Sequence, residues 1–253
     1  MLPEIWIFDT YSILLLIGAI AALFIYHIYG KKAGLPSDYV NTIEIVAIIS
    51  IISGLVGAVL FQTLYDLLNH DVHFGSMTFY GGLIFGALCF LLIYKFYVMK
   101  KYPNIKFTKA VLAIAPASIT IAHGFGRIGC FCAGCCYGVE TDSWLGVKFP
   151  DLPNPVYPTQ LFEAIFLFLL FGVLFYIAIK KQTKYTMVIY LFAYGLWRFL
   201  IEFIRGDERG YFLLGLAPSQ WMSIFAILIG IGLIIYFNIH KNNTKENAST
   251  QSE

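Results

Sequence analysis

Seven long apolar stretches, separated by short polar connections, constrain this chain more than any other feature of its sequence. Each is long enough for a tilted helix across a hydrocarbon core of roughly 30 Å. The stretches cover residues 12–28, 43–65, 77–99, 108–131, 159–179, 185–205 and 218–239. Only 13% of the 253 residues are charged, against about 25% in soluble domains. We therefore predict an all-α integral membrane protein with seven transmembrane helices.

The charges of successive connections alternate in sign. Lysines lie in or around the first, third and fifth connections and in the tail: Lys31, Lys32, Lys95, Lys100, Lys101, Lys106, Lys109, Lys180, Lys181, Lys184, Lys241 and Lys245. Acidic residues dominate the other connections: Asp66, Asp71, Glu140, Asp142, Asp151, Asp207 and Glu208. Since basic connections stay in the cytoplasm, we expect the N-terminus outside and the C-terminus in the cytoplasm.

The chain reads as one domain followed by a tail. We predict a single seven-helix domain over residues 1–240 and a disordered cytoplasmic tail over residues 241–253, which are polar throughout. The net charge of +2 is too small to indicate nucleic-acid binding, so we expect no nucleic acid as a partner. The proline-rich stretch FPDLPNPVYPTQ at residues 149–160 favours a structured loop over a helix.

With this topology, polar residues from four spans reach the same outer depth. They are Tyr80 in span three, Arg127 and the cysteines in span four, Gln160 and Glu163 in span five, and Arg198, Glu202 and Arg205 in span six. An arginine inside a membrane span is costly and needs a reason. Because guanidinium groups bind phosphate oxygens in bidentate fashion, Arg127 and Arg198 suggest a site for a phospholipid phosphate.

Structural explanations compete with this one. Tyr194, Arg198 and Glu202 share a helical face, and an Arg198–Glu202 pair would satisfy both charges while leaving Arg127 without an obvious partner. Snorkelling to the headgroups is a second alternative. His123, one turn before Arg127, fits either a hydrogen-bonded packing residue or a general base.

Four of the five cysteines lie in the segment HGFGRIGCFCAGCCYG, residues 123–138. They are Cys130, Cys132, Cys135 and Cys136. Their spacing is not that of a standard zinc site, and free cysteine also packs as a small apolar residue. Packing, a disulfide, a metal site and a low-pKa thiolate all stay open. We assign no metal and no cofactor to the site.

Four motifs resemble those of the bacterial prolipoprotein diacylglyceryl transferases, in family order and spacing. They are FYGGL (79–83), GRIGCFCAGCCYG (126–138), YPTQLFEA (157–164) and WRFLIEFIRGD (197–207). The resemblance implies a multi-pass enzyme of the bacterial cytoplasmic membrane, with its active site towards the outer leaflet. Such an enzyme moves the diacylglyceryl group of phosphatidylglycerol onto the lipobox cysteine thiol of secreted prolipoproteins.

The resemblance also implies roles for individual residues. Arg127 and Arg198 would hold the phosphate and Glu202 would orient Arg198. Tyr80 and His123 complete the catalytic candidates. The remaining substrate-binding candidates are Arg205, Gly81, Gly82, Gln160 and Gly138.

Three polar positions differ from the family pattern. Tyr80 stands where well-known members have histidine, Cys130 where they have asparagine, and Cys135 where they have an acidic residue. Tyrosine, with a pKa of about 10, is a poor base at neutral pH, and His123 is a candidate for the missing imidazole.

Two other functions remain as alternatives. The first is a divergent paralogue that moves a group between a phospholipid and another acceptor, with a cysteine as transient nucleophile. The second is a membrane thiol-redox or metal protein that uses the CxCxxCC turn. A non-catalytic transporter or lipid-binding module ranks last.

Overall fold

The computed structural model describes residues 4–5, 8–69, 79–206 and 215–250. In these ranges a two-residue hairpin (β1, Glu4–Ile5; β2, Phe8–Asp9) precedes the helices. The helices are α1 (Thr10–Lys32), α2 (Ser37–Asn69), α3 (Phe79–Ile93), α4 (Met99–Lys101), α5 (Ala115–Ala133), α6 (Thr159–Lys181), α7 (Tyr185–Ile201) and α8 (Pro218–Thr250). Two π-helical turns (Tyr94–Val98 and Thr108–Leu112) and a 3-10 turn (Glu202–Ile204) extend them.

Seven segments of the described chain are long and apolar enough to cross a membrane. They are Thr10–Lys32, Ser37–Leu64, Gly81–Lys101, Thr108–Ala133, Thr159–Lys181, Tyr185–Ile204 and Pro218–Ile239. Large apolar side chains on them, such as Leu16, Ile165 and Leu169, are more than half exposed, which suits lipid rather than water. The predicted seven-span, all-α membrane protein is thus confirmed.

Two predictions about the ends of the chain stay predictions: the N-terminus outside with the C-terminus in the cytoplasm, and the disordered tail over residues 241–253. The structure continues α8 to Thr250, past residue 240, where the sequence places the end of the domain.

Prolines and glycines mark the ends of the helices that carry the candidate site. Pro116 lies in the first turn of α5, where a missing N–H costs nothing. Gly134 ends α5 in the left-handed conformation (φ 70°), and its N–H returns to the carbonyls of Cys130 and Phe131, a common helix terminus. Pro158 and Pro218 precede or begin α6 and α8.

The chain forms two compact units, Met1–Ile25 with Val111–Glu253, and Tyr26–Ala110. In the unit Tyr26–Ala110, glycines bring α2 and α3 together. A Cβ on Gly57 would lie 2.4 Å from the Phe85 Cβ, and one on Gly81 would lie 2.6 Å from the Gly57 carbonyl oxygen. At Gly82 and Gly86 a Cβ would come within 3.3 and 3.2 Å of a backbone oxygen of α2. This close helix contact is a common packing device in membranes.

In the unit that contains the chain termini, α5 packs against α6 and α7, and α7 packs against α8. Buried polar groups reinforce the packing, since the Thr186 hydroxyl donates to the carbonyl of Ala113 at 2.8 Å. Because α5 ends, α6 begins and α7 ends at the same level, three helix ends present their side chains together.

The connection between α5 and α6 is ordered, as the proline-rich stretch predicts. Val147 and Val156 exchange backbone hydrogen bonds at 2.9 and 3.0 Å, and Glu140 also bridges to Val156. At its start, Gly138 pairs with Arg205 beyond the end of α7. The connection is therefore attached to both α6 and α7.

Candidate active site

A single buried carboxylate, that of Glu163, lies at the centre of the charged groups. Glu163 is in the second turn of α6, and its side chain is 1% exposed. The Tyr194 hydroxyl donates to its Oε1 at 2.9 Å, and the Arg127 Nε lies 2.9 Å from its Oε2. The Nε2 of His123 lies 3.9 Å from Oε1. The carboxylate thus joins α5, α6 and α7.

This arrangement gives Arg127 the partner that the sequence left unassigned. The Nε–H is not directed along a hydrogen bond to the carboxylate, so the 2.9 Å contact with Glu163 is an ion pair in character. The Arg127 side chain is 13% exposed. The sequence offered no obvious partner for Arg127, and the α5–α6 contact brings Glu163 to it.

A second ion-pair group extends from the end of α7. The Arg198 Nη1 donates to the Glu202 Oε2 at 2.6 Å. Arg205 Nε lies 3.9 Å from the same oxygen. The 3-10 turn over Glu202–Ile204 places Glu202 one turn above Arg198, so the predicted Arg198–Glu202 pair is present.

The two groups are electrostatically linked. Arg198 lies close enough to Glu163 and to His123 to act on their charges. Among the described residues, three guanidiniums, those of Arg127, Arg198 and Arg205, lie with the carboxylates of Glu163 and Glu202. The three arginine side chains are at most 13% exposed, and in such a dry environment each charge acts strongly on an anion.

The cysteine turn begins in the last turn of α5, with Cys130 and Cys132, and continues beyond it with Cys135 and Cys136. The Sγ atoms of Cys130, Cys135 and Cys136 all lie within 4.8 Å of one another, while Cys132 is not part of this group. The sulfurs are unbridged. Cys136 has a φ of 64°, an uncommon conformation for a residue other than glycine. The fold thus accepts a strained backbone at the point where the three sulfurs meet.

Polar side chains of α6 hold this turn in place. The Gln160 Nε2 donates to the Cys135 carbonyl at 2.5 Å and the Thr159 hydroxyl to the Cys136 carbonyl at 2.9 Å. Gln160, expected at the substrate, therefore supports the cysteine turn with its amide nitrogen. Its Oε1 is buried without a protein partner.

Arg205 and the neighbouring sulfurs favour a thiolate at Cys136. The pKa of the Cys136 thiol is lowered because the Cys130 and Cys135 thiols hydrogen-bond to it, and because Arg205 lies against it. Burial opposes this effect but does not outweigh it. The cysteine turn and the arginine cluster are therefore in direct electrostatic contact.

Sequence comparison identifies relatives over most of the chain. The family described as prolipoprotein diacylglyceryl transferase matches residues 4–236. A phosphatidylglycerol--prolipoprotein diacylglyceryl transferase of Clostridium tetani is 34% identical over 91% of this chain and 92% of its own length. One from Clostridium perfringens is 35% identical, over 92% and 91%. The chain belongs to the prolipoprotein diacylglyceryl transferase family. A Francisella tularensis relative, 37% identical over 79% of the chain, agrees with this assignment.

Within this family member, the glycine candidates divide between two structural roles. Gly138 lets three segments meet, because a Cβ there would lie 2.6 Å from the Ile204 carbonyl oxygen and 2.8 Å from Thr159. Gly81 and Gly82 pack α3 against α2 in the unit Tyr26–Ala110. The side chain of Tyr80, at the start of α3, lies outside the described residues.

Sequence reasoning missed two members of the transferase cluster. Glu163 was placed at the right depth and Tyr194 on the right helix face, yet neither was assigned to the site. A carboxylate inside an apolar span rarely lies unpaired, so the presence of Glu163 one helix after Arg127 was the available signal.

Proposed function

We propose that this chain transfers the diacylglyceryl group of phosphatidylglycerol to the lipobox cysteine thiol of prolipoproteins and releases glycerol-1-phosphate. Its family membership and the names of its relatives support this reaction. The single observation that carries the proposal is the buried cluster of three arginines and two glutamates. Its guanidinium groups offer the paired N–H donors that bind phosphate oxygens in bidentate fashion.

The arginines act on the leaving group. When the thiol sulfur attacks the glycerol carbon, the C–O bond to phosphorus breaks and the phosphate gains a second negative charge. Arg127 and Arg198 stabilise that developing charge, and fixed cations do so without reorganisation during the reaction. Glu163 and Glu202 hold the two guanidiniums in place, which reduces the entropy lost on binding the phosphate.

His123 is assigned a role on the thiol side of the reaction. Thiolate, not thiol, is the nucleophile, and a neutral imidazole has one ring nitrogen that can accept a proton. The contact of its ring with Glu163, and the edge-on packing of the ring against Tyr194 at 5.3 Å between centroids, fix its orientation. Tyr80 remains proposed as a donor to the phosphate, together with the glycines that follow it.

We place the reaction in the outer half of the bacterial cytoplasmic membrane. The alternating charges of the connections support this orientation, and both substrates occur there. A protease site inserted beside Trp144, which is 90% exposed, should be cut by protease added outside spheroplasts. Cleavage only after the membrane is permeabilised would contradict the assignment.

The central test is complementation. A bacterium depleted of its own transferase should be rescued by this chain, and a reporter lipoprotein should gain the mass of one diacylglyceryl group. A rescued reporter of unchanged mass, or no rescue despite normal membrane expression, would refute the proposed reaction and favour a paralogue with another acceptor.

Matched substitutions test the phosphate contact. Arg198→Ala should lower kcat/KM by about 10²–10³-fold, the usual cost of one transition-state donor. Arg198→Lys keeps the charge but loses the planar fork. Its kcat/KM should lie between those of the wild type and of Arg198→Ala. Lys148→Ala removes an exposed cation of the α5–α6 connection and should leave kcat/KM unchanged. Equal effects of Arg198→Ala and Lys148→Ala would argue against a phosphate held by Arg198.

A further inference from the structure

The cysteine group has the composition and size of a soft-metal site. Tetrahedral Zn²⁺ with bonds of about 2.3 Å separates its sulfur ligands by about 3.8 Å. The Sγ atoms of Cys130, Cys135 and Cys136 lie within 4.8 Å of one another, so side-chain adjustments of well under 1 Å would bring them to the metal. Thiolates are ligands that zinc favours over harder cations.

The group itself supplies three ligands for a metal ion. In the part of the chain that the structure describes, no fourth histidine, cysteine or carboxylate joins the three sulfurs. Cys135 is exposed, whereas Cys130 and Cys136 are partly buried. Zinc sites with four protein ligands are structural, while those with three keep a position for water or substrate. The cysteine group therefore resembles the second kind.

Its surroundings favour the charged complex. Three thiolates on Zn²⁺ carry a net charge of −1, and Arg205 lies against Cys136. Arg127 is also close enough to interact with the sulfurs of Cys130 and Cys136. The backbone is fixed as well, since Gln160 and Thr159 hold the carbonyls of Cys135 and Cys136. Sulfur ligands anchored in this way lose little freedom when a metal binds.

We propose that Cys130, Cys135 and Cys136 bind a Zn²⁺ ion whose fourth position takes the lipobox thiol of the prolipoprotein as a thiolate. The inference rests on the proposed function and assigns how its acceptor is activated. A thiol with a pKa of about 8.5 is only a few per cent ionised at pH 7. Coordination to the metal deprotonates it.

The reaction balances without any redox step. The thiol displaces water from the zinc, and its proton passes through that water to His123, in the same unit, and from there to solvent. The bound sulfur then attacks the glycerol carbon of phosphatidylglycerol, a C–S bond forms and the C–O bond to phosphorus breaks. Glycerol-1-phosphate leaves with two negative charges, and the neutral thioether leaves the zinc, which regains water.

The first experiment measures the metal. Full-length protein, purified in detergent with a non-thiol reductant, should contain about one zinc per chain by elemental analysis. Cys135→Ser, which changes an exposed ligand and so has little effect on folding, should lose most of it. Cys132→Ser, in the same motif but outside the sulfur group, should keep it. Absence of zinc from the wild-type protein, copper in its place, a disulfide among the three cysteines, or equal zinc in the two variants would overturn the proposal.

The second experiment tests the open position. Co²⁺-substituted protein should show thiolate-to-metal absorption, and a peptide with a lipobox cysteine should change its visible spectrum. The same peptide with serine in place of cysteine should not. Identical spectra with the two peptides would show that the metal has a structural role only and would overturn the proposed activation of the thiol.

These readouts separate the inference from the proposed function. Zinc content and the thiol-dependent spectrum do not require turnover, so they hold or fail even if phosphatidylglycerol is not the donor. If transfer is observed, Cys135→Ser should lower kcat/KM by about 100-fold or more, within the range for activation of a reacting proton. Full activity of Cys135→Ser without zinc would overturn the inference while leaving the proposed transfer intact.

Discussion

The α2–α3 contact in one unit and the α5–α6–α7 contact in the other hold helices together by opposite means. In the first, glycines allow backbones to touch, as where Gly81 meets the Gly57 carbonyl oxygen. In the second, the buried carboxylate of Glu163 joins side chains from two neighbouring helices. Steric contacts depend little on charge, whereas the second contact adds buried charges to its aromatic packing, such as that of Phe166 on Trp197.

The difference separates stability from function. Close packing of small residues is an economical way to associate helices in lipid. A buried ion pair gives little net stability, because desolvation offsets most of the attraction, yet losing one partner is severe. Charges placed where glycines would suffice therefore indicate a functional requirement. We expect substitutions in the charged contact to reduce activity and stability together, and a substitution at Gly57, the glycine of the other contact that has no proposed substrate role, to reduce stability alone.

The largest effect is expected for Glu163→Gln. The change keeps shape but leaves Arg127 buried without a countercharge, which costs about 3–5 kcal/mol in comparable buried pairs. Thermal unfolding in detergent should show the loss, and turnover per folded molecule should fall at least about 100-fold because Arg127 loses its fixed position.

Glu44→Gln is the matched control for Glu163→Gln. Glu44 pairs with His27 at 2.9 Å, but their side chains are 23% and 38% exposed, so the loss should stay within about 1 kcal/mol. Equal destabilisation by the two substitutions would remove the distinction between the charged contact and an ordinary ion pair.

Tyr194→Phe should have the next largest effect. It deletes the hydroxyl that donates to Glu163 at 2.9 Å, and a hydrogen bond to a charged group contributes about 1.5–3 kcal/mol. Activity should fall less than for Glu163→Gln, since the carboxylate and Arg127 remain. Tyr190→Phe, one turn earlier and stacked on Tyr194 at 5.6 Å between ring centroids, controls for the aromatic packing. A larger loss of stability and activity for Tyr190→Phe than for Tyr194→Phe would show that the hydrogen bond from Tyr194 to Glu163 is not the important one.

The sequence predicted the two contacts unequally well. The seven spans follow from composition, because apolar length acts locally, and the small residues Gly82 and Gly86, four apart, are a pattern typical of close helix contact. The Arg198–Glu202 pair was also predictable, since both groups lie four residues apart. The Arg127–Glu163 pair joins different helices, so it depends on how α5 and α6 rotate about their axes, and a single sequence does not encode that rotation in a readable pattern.

The cysteines illustrate the same limit within a single turn. The spacing of the four residues matched no known metal motif, and their separation along the chain did not reveal which sulfurs meet. The left-handed backbone at Cys136 brings its sulfur to Cys130 and Cys135 and leaves Cys132 out. Which sulfurs meet is determined by the end of α5 at Gly134 and by the hydrogen bonds from Thr159 and Gln160. These two residues lie more than 20 positions further along the chain.

A smaller, purely structural effect is expected for Gly57→Ala. The new methyl group would lie 2.4 Å from the Cβ and Cγ of Phe85, so α2 and α3 must separate. Overpacking of this kind costs about 1–3 kcal/mol. The thermal midpoint should fall while turnover per folded molecule stays within about twofold of the wild type. A loss of turnover larger than the loss of folded protein would show that the glycine contact also serves the reaction.

The smallest effect, and one of opposite sign, is expected for Gly172→Ala. Gly172 lies within α6, the helix that carries Glu163, and a Cβ there would meet nothing within 4 Å. Alanine should therefore stabilise the helix by up to about 1 kcal/mol through the unfolded-state entropy that glycine loses on folding. Thermal unfolding beside Gly57→Ala measures both signs with the same chemical change. Destabilisation by Gly172→Ala would contradict this expectation. It would indicate that another molecule packs closely against Gly172 on this face of α6.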